Sequence, residues 1–474
     1  MSKTSRSGLN RRGAGIHRRR YSFARCDWSK RHCRVPNQVA AGQCQDTPKL
    51  NCYPNPLAHH NAELEFFPAS CVLLSVLTTI RRAEYFELIV LFFIQGMAMS
   101  MWFVPLSPVL DAHGLQHIKP YAFATSAIAA FVSPLIFGAM ADRHAAPVVV
   151  LRWLAIATAA SMSLATTSIK LGWSAGFVLA FIQLHALCTS PTFSIATTII
   201  FSRLQNSQRE YGPIRAMATF GWMAGCWLVS LLKADTSPMA GYYGAIVWIG
   251  VAFFTFVLPN VPPPESDEKT TWKQRMGWDA LALLKNPDHR VVFITAALFN
   301  ATVAAMFPFT PPHLRELGFT RTTAWMTLGQ VTEIIAMFTL AGLLTRWRLK
   351  WVIVIGLGFT TVRYFLCAMN TKLSLLVGLT LHGVGFTLVL ITTQIYLEQR
   401  IDPAWRGRAQ SLLSMMTSGM GNLIGYLGSG WWFAFCTTDG ATRWTLFWLG
   451  ITAAVMFVLI YFLAAYRGRV AHEK

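Results

Sequence analysis

The sequence predicts an all-α polytopic membrane protein with twelve transmembrane helices in two six-helix halves. Three observations carry this. Over 474 residues the chain is 54% hydrophobic and only 13% charged, with a mean hydropathy of +0.41. A soluble domain carries about a quarter charged residues. From Tyr85 onward, apolar residues come in runs of the length a helix needs, about 20 residues, to cross about 30 Å of hydrocarbon. The runs are separated by short connections with one long exception in the middle, which divides them six and six.

Taken in order, residues 1–80 form a basic extension with little periodicity, read as a disordered cytoplasmic tail or an over-extended start. Its apolar stretch "FFPASCVLLSVLTT" is too short to span and lies too far along to be a signal peptide. The first half covers 85–259, with spans near 85–106, 121–141, 147–168, 174–201, 212–233 and 241–259. Residues 260–289 are a linker: a polar "PPPESDEKTTWKQR", then "MGWDALALLKNP", whose Trp278, Leu281, Leu284 and Lys285 fall at the spacing of an amphipathic surface helix. The second half covers 290–466, with spans near 290–312, 322–345, 351–369, 374–397, 408–434 and 444–466, and 467–474 is a tail.

The formal net charge of +20 raises the question of nucleic acid, and its distribution answers it. Part lies in runs such as "RRGAGIHRRR" near the start, and most of the rest lies between apolar segments, where basic charge sets topology. Arg143, Arg203, Arg209, Arg346, Arg348, Lys350, Arg400 and Arg406 fall on one side of the predicted bundle; the other carries mostly single charges. The expectation is a multi-pass protein of the cytoplasmic (inner) membrane with both termini in the cytoplasm, monomeric, in contact with lipid and not with nucleic acid. The four N-terminal cysteines match no common zinc spacing, and Cys188, Cys226 and Cys367 lie in apolar runs as packing residues. No Gly-rich phosphate loop, metal cluster or Ser/His/Asp arrangement appears, so no catalytic residue, metal or cofactor is expected.

The chemistry lies in polar residues inside the spans. "LGQVTEIIAM" puts Gln330 and Glu333 three residues apart, on one helix face in mid-membrane. A carboxylate there costs at least about 2.5 kcal/mol on insertion scales, so it must face the interior. It can contact a solute and hold or release a proton, or it can be half of a structural pair with a neighbouring cation. Arg215, one turn inside the fifth span, either reaches the interior or snorkels to the interface. Arg363 and Arg152 read as anchors against backbone carbonyls. His185 and His382 titrate near neutral pH but are more often structural. Gly419, Gly421, Gly425 and Gly428 let the eleventh span approach its neighbours closely.

Several motifs occur together. "GAMADRH" places Gly138, Asp142 and Arg143 in a shortened form of the signature loop of the major facilitator superfamily, for helix approach and gating. "SPTFSIATTIIFSRLQNSQREYGPIRAMATFGW", "WDALALLKN", "GQVTE", Arg363 with Tyr364, and "MMTSGMGNLIG" follow in order. From about Trp102 to the twelfth span, the chain resembles the bacterial nucleoside:proton symporter family of that superfamily. The resemblance implies the major facilitator fold, no cofactor, and nucleoside import by proton symport through alternating access. It assigns substrate binding to Arg215, Thr219, Gln330, Glu333 and Phe386, and proton coupling to Glu333. His382 stands where the family has a phenol and Trp222 where it has a phenyl ring. The family's seventh-span amides map onto Thr302 and Ala305. That departure keeps open another small polar or aromatic solute, or a transporter-derived sensor.

Overall fold

The computed structural model describes residues 85–142, 145–205, 207–259, 278–402 and 405–468. The N-terminal extension, Arg143, most of the linker and the end of the tail lie outside the described residues. The rest is an all-helical bundle whose only strands, among the described residues, are the two-residue pair Thr437–Thr438 and Ala441–Thr442.

Six spans form the first half. They run Phe86–Phe103 continued by Leu106–Ala112, Lys119–Asp142, Pro147–Lys170, Ala175–Thr189 continued by Thr192–Phe201, Ser207–Leu231 and Met239–Phe254. The second half begins with Pro287–Val303 continued by Met306–Glu316, then Thr322–Trp325 with Leu328–Arg346, and Leu349–Ala368. It ends with Lys372–Phe386 and Thr392–Arg400, Arg406–Ser414 and Asn422–Cys436, and Trp444–Ala465. Among the described residues, eight helical stretches are long and apolar enough to cross a membrane, and Met239–Phe254 is a shorter apolar helix.

Local sequence explains the breaks. Val104–Pro105 interrupts the first span and Pro191 the fourth, because proline lacks the amide proton that continues the ladder. Pro287 opens the seventh span, where its ring fits the first turn, and Asn286 caps it by accepting from the amides of Asp288 and His289. Thr371 and Ser374 form a capping box at the start of the tenth span. Just before it, Asn370 ends the ninth span in the left-handed region, at φ 53°. The expected surface helix of the linker is instead a 3-10 segment, Trp278–Lys285, stopped by the Asn286 cap. Two stretches widen to π-helix: Thr387–Ile391 in the tenth span and Met415–Gly421 in the eleventh.

Two close approaches position the interior. Gly221 of the fifth span lies on Phe93 of the first, and Gly383 of the tenth lies on the Glu333 amide of the eighth. At both, any Cβ would collide with backbone of the neighbouring helix, so glycine is what permits the contact.

The halves are fastened at the end away from the start of the first span. Ser107 donates to the Pro308 carbonyl at 2.5 Å, and Trp227 Nε1 donates to Thr327 Oγ1 at 3.0 Å. Asp235 accepts the Thr323 amide at 2.8 Å and the Ser230 hydroxyl at 2.7 Å, while Ser230 Oγ accepts the Ala324 amide at 3.0 Å. The first half therefore caps the start of the eighth span in the second half. Lys119, 2% exposed, pairs with Asp111 at 2.6 Å beneath the Phe309 and Phe433 rings of the opposite half. Phe103, Trp222 and Phe307 close the centre, with Phe103 and Phe307 centroids 5.0 Å apart.

Candidate functional site

The polar residues of the spans lie on the fifth span of one half, which meets the eighth span of the other at Trp227–Thr327, and on the tenth span packed against that eighth span. Arg215, Thr219 and Trp222 are spaced four and three apart, which puts them on one face of the fifth helix. The Arg215 guanidinium lies over the Phe193 ring at 4.7 Å. Phe193 in turn stacks on Phe92 at 5.1 Å. Among the described residues Arg215 has neither a hydrogen-bond nor an ion-pair partner. Thr219 is buried, and Trp222 belongs to the aromatic cluster at the centre.

Across from it, Gln330 is buried with its Oε1 unpartnered. Glu333 is half-buried, and its carboxylate makes no hydrogen bond among the described residues. Its carbonyl accepts weakly from Thr387 at 3.5 Å, beside the π-turn of the tenth span. The charged group whose field reaches Glu333 is Arg215. Helix geometry accounts for an attraction without a direct ion pair. The two spans touch at Trp227–Thr327. From there Glu333 lies six residues along one helix, about 9 Å, and Arg215 twelve residues along the other, about 18 Å. The long guanidinium stem closes part of that difference.

His382 and Phe386 come to this wall because Gly383 seats the tenth span on the eighth. Their rings lie 5.6 Å apart, and His382 packs against Gly329. Among the described residues Arg363 makes no hydrogen bond to a carbonyl, the anchor its position in the sequence suggested. It lies 2% exposed with Nη1 2.8 Å from His382 Nδ1, because the tenth span brings an imidazole where a carbonyl was expected. Arg152 does take the anchoring role, bonding Thr255 Oγ1 at 2.9 Å and its carbonyl at 3.4 Å.

The seventh span contributes differently. The Thr302 hydroxyl donates to the Phe299 carbonyl of its own helix at 2.7 Å, and Tyr364 donates to the Thr302 carbonyl at 2.8 Å. Asn300, the nearest amide in the sequence, ties this span to the eleventh through the Thr417 carbonyl at 2.9 Å and Asn422 Oδ1 at 2.6 Å. His185 is buried beside the edge of Trp102, at 5.5 Å between centroids, and reaches the Thr158 carbonyl at 3.4 Å. Gly138 and Asp142 lie where only the helix backbone is described.

Reading the sequence missed Phe193, which holds Arg215; an aromatic in an apolar run gives no sign of such a role. It also missed Asp235 and Ser230. An acidic residue just past the end of an apolar run was the available signal.

Two six-helix halves around a polar centre, closed at one end and carrying a carboxylate opposite a guanidinium, define a secondary transporter of the major facilitator fold. The model of the family described as "Nucleoside H+ symporter" matches residues 83–471. "Putative nucleoside transporter YegT" of Escherichia coli (strain K12) is 31% identical over 350 residues, covering 70% of this chain and 81% of that protein. "Nucleoside permease NupG" of the same organism is 27% identical over 305 residues, 60% of this chain and 73% of that one. The crystal structure of nucleoside transporter NupG superposes with a TM-score of 0.74 at 24% identity, covering 82% of this chain and all of that one. The chain belongs to the nucleoside H+ symporter family and is a membrane transporter coupling nucleoside import to protons.

Proposed function

We propose that Glu333 is the group that meets both the nucleoside and the proton, and that Arg215 is its partner from the opposite half. One observation carries this: a guanidinium of one half and a carboxylate of the other lie within electrostatic reach, and neither has a hydrogen-bond partner among the described residues. Charges that served only to hold the fold would be satisfied by fixed partners, as buried polar groups almost always are. Unsatisfied ones are matched to a solute rich in hydroxyls, carbonyls and ring nitrogens. Arg215 offers donors in a planar fork. Gln330 and Glu333 offer acceptors, and Thr219, Thr302, Trp222, His382 and Phe386 complete the walls. The aromatic faces suit a base.

The basic loops put both termini in the cytoplasm. The fastened end then faces outward. In the cycle, a proton on Glu333 removes the negative charge facing Arg215 and admits closure around the substrate. Release of the proton on the inside restores that charge, and the halves rock about the site. Gly138, Asp142 and Arg143 belong by sequence to the connection that follows the second span, which the basic loops assign to the inner side and where a gating loop belongs. The protein acts as a monomer in the inner membrane and performs no covalent chemistry.

The test is uptake of uridine and adenosine in cells lacking their own nucleoside transporters, with and without a proton uncoupler. Accumulation that collapses with the uncoupler is expected. Accumulation indifferent to it removes the proton, and the absence of uptake of either compound removes the nucleoside.

A further inference from the structure

We infer that Arg363 is a positioning residue: it fixes the tautomer of His382 and so makes this part of the substrate wall a hydrogen-bond donor. The argument begins with donor inventory. A guanidinium has N–H groups and no acceptor. Arg363 Nη1 lies 2.8 Å from His382 Nδ1 in the buried interior. That nitrogen must therefore supply the lone pair and carries no proton. The remaining proton of the imidazole is on Nε2, which is left to face another partner.

The pair is held from both sides. Arg363 lies over the Tyr364 ring at 4.4 Å, Tyr364 stacks on Trp448 at 5.6 Å, and the Tyr364 hydroxyl is fastened to the Thr302 carbonyl at 2.8 Å. His382 is held by Gly329, where an added Cβ would lie 2.9 Å from the ring's Cδ2. Among the described residues Arg363 has no carboxylate partner, so the imidazole is its side-chain acceptor. This holds a ring of fixed orientation against Gly329, the sequence neighbour of Gln330, whose Oε1 is buried and unpartnered.

The consequence is a rule for the substrate. Resting on the reading of His382 as part of the nucleoside site, the atom it receives is an acceptor: a carbonyl oxygen, an unprotonated ring nitrogen or a hydroxyl lone pair. A histidine so fixed also differs from a phenol at the same place, because a phenol can accept as well as donate.

The test uses the full-length transporter, labelled with 15N-histidine, in lipid nanodiscs, with the His382 signals identified by their loss in His382→Gln. The wild-type protein should show an unprotonated, accepting Nδ1 and a protonated Nε2. Arg363→Met should populate both tautomers and raise the KM for nucleoside about tenfold or more, the cost of a lost or misdirected polar contact. Arg363→Lys, which keeps a donor, should recover part of both. A merely structural arginine would lower the amount of folded protein and Vmax while the tautomer stayed put. A protonated Nδ1 in the wild type overturns the inference, as does an unchanged tautomer in Arg363→Met. If Arg363→Met does not fold, the wild-type spectrum alone decides. Failure of the nucleoside reading would appear separately, as a wild-type protein that takes up no nucleoside yet keeps the same nitrogen signals.

Discussion

Arg215 and Arg363 are both arginines inside apolar helices, and both lie over aromatic rings, at 4.7 Å on Phe193 and 4.4 Å on Tyr364. They differ in what receives their protons. Arg363 donates to His382 within one half of the molecule. Arg215 has no hydrogen-bond partner among the described residues and lies within electrostatic reach of Glu333 in the other half. A cation with a fixed acceptor inside its own half builds a wall; a cation with none is available to a solute. Position relative to the interface separates the roles, since a contact between halves must break and re-form as they rock, and one within a half need not.

That contrast can be broken most severely at Arg215. Arg215→Gln should reduce nucleoside uptake by roughly tenfold to a hundredfold, the worth of hydrogen bonds to a charged group, without a matching fall in thermal stability. Arg215→Lys should recover only part, because a point charge does not reproduce a planar fork. Uptake and melting temperature, measured together on purified protein, check this. If Arg215→Gln lost stability and not transport, the two arginines would have to exchange roles.

The next effect is steric. Gly383→Val sets branched carbon against the Glu333 amide. Overpacking of this kind costs about 1–3 kcal/mol, and it should lower the melting temperature and displace His382 and Phe386 together. Unchanged stability would mean that the tenth and eighth spans are not held by that contact.

Asp235→Ala is expected to be milder. It removes the cap that the first half places on Thr323, worth about 1 kcal/mol for a helix start. The fastened end should open more often, read as faster labelling of a cysteine introduced there. Slower or unchanged labelling would mean that the clasp does not hold that end shut.

The smallest effect is assigned to Thr302→Val. Its hydroxyl is committed to the Phe299 carbonyl. The change should move the KM by less than about fivefold, the worth of a single neutral hydrogen bond. A larger change would show that the hydroxyl turns toward the substrate during transport.

Much of the bundle was legible in the sequence. Hydropathy alone separates the spans, because each must satisfy its own backbone and present apolar side chains outward. Glu333 and Gln330 were legible for the converse reason: polar residues three apart in an apolar run share a face, and no lipid-facing role accommodates them. The partners were not. His382 lies nineteen residues from Arg363, on another helix, and no spacing rule connects them. Gly383 looked like any helical glycine until the eighth span was placed against it. Lys119 falls in a short connection between apolar runs, where a charge would be expected in water, yet it lies buried beneath the Phe309 and Phe433 rings, because the opposite half closes over it. The linker carried an amphipathic pattern, but with the next cap so near it takes 3-10 form.

The central claim is that Glu333 joins substrate to proton. The most direct measurement is proton movement into proteoliposomes when nucleoside is added, followed by the pH of the outer medium, for the wild type and for Glu333→Gln. The wild type should take up protons with the nucleoside. Glu333→Gln should still equilibrate or bind nucleoside while moving no proton and building no gradient. Proton uptake at the wild-type ratio in Glu333→Gln would contradict the account and move the coupling site elsewhere.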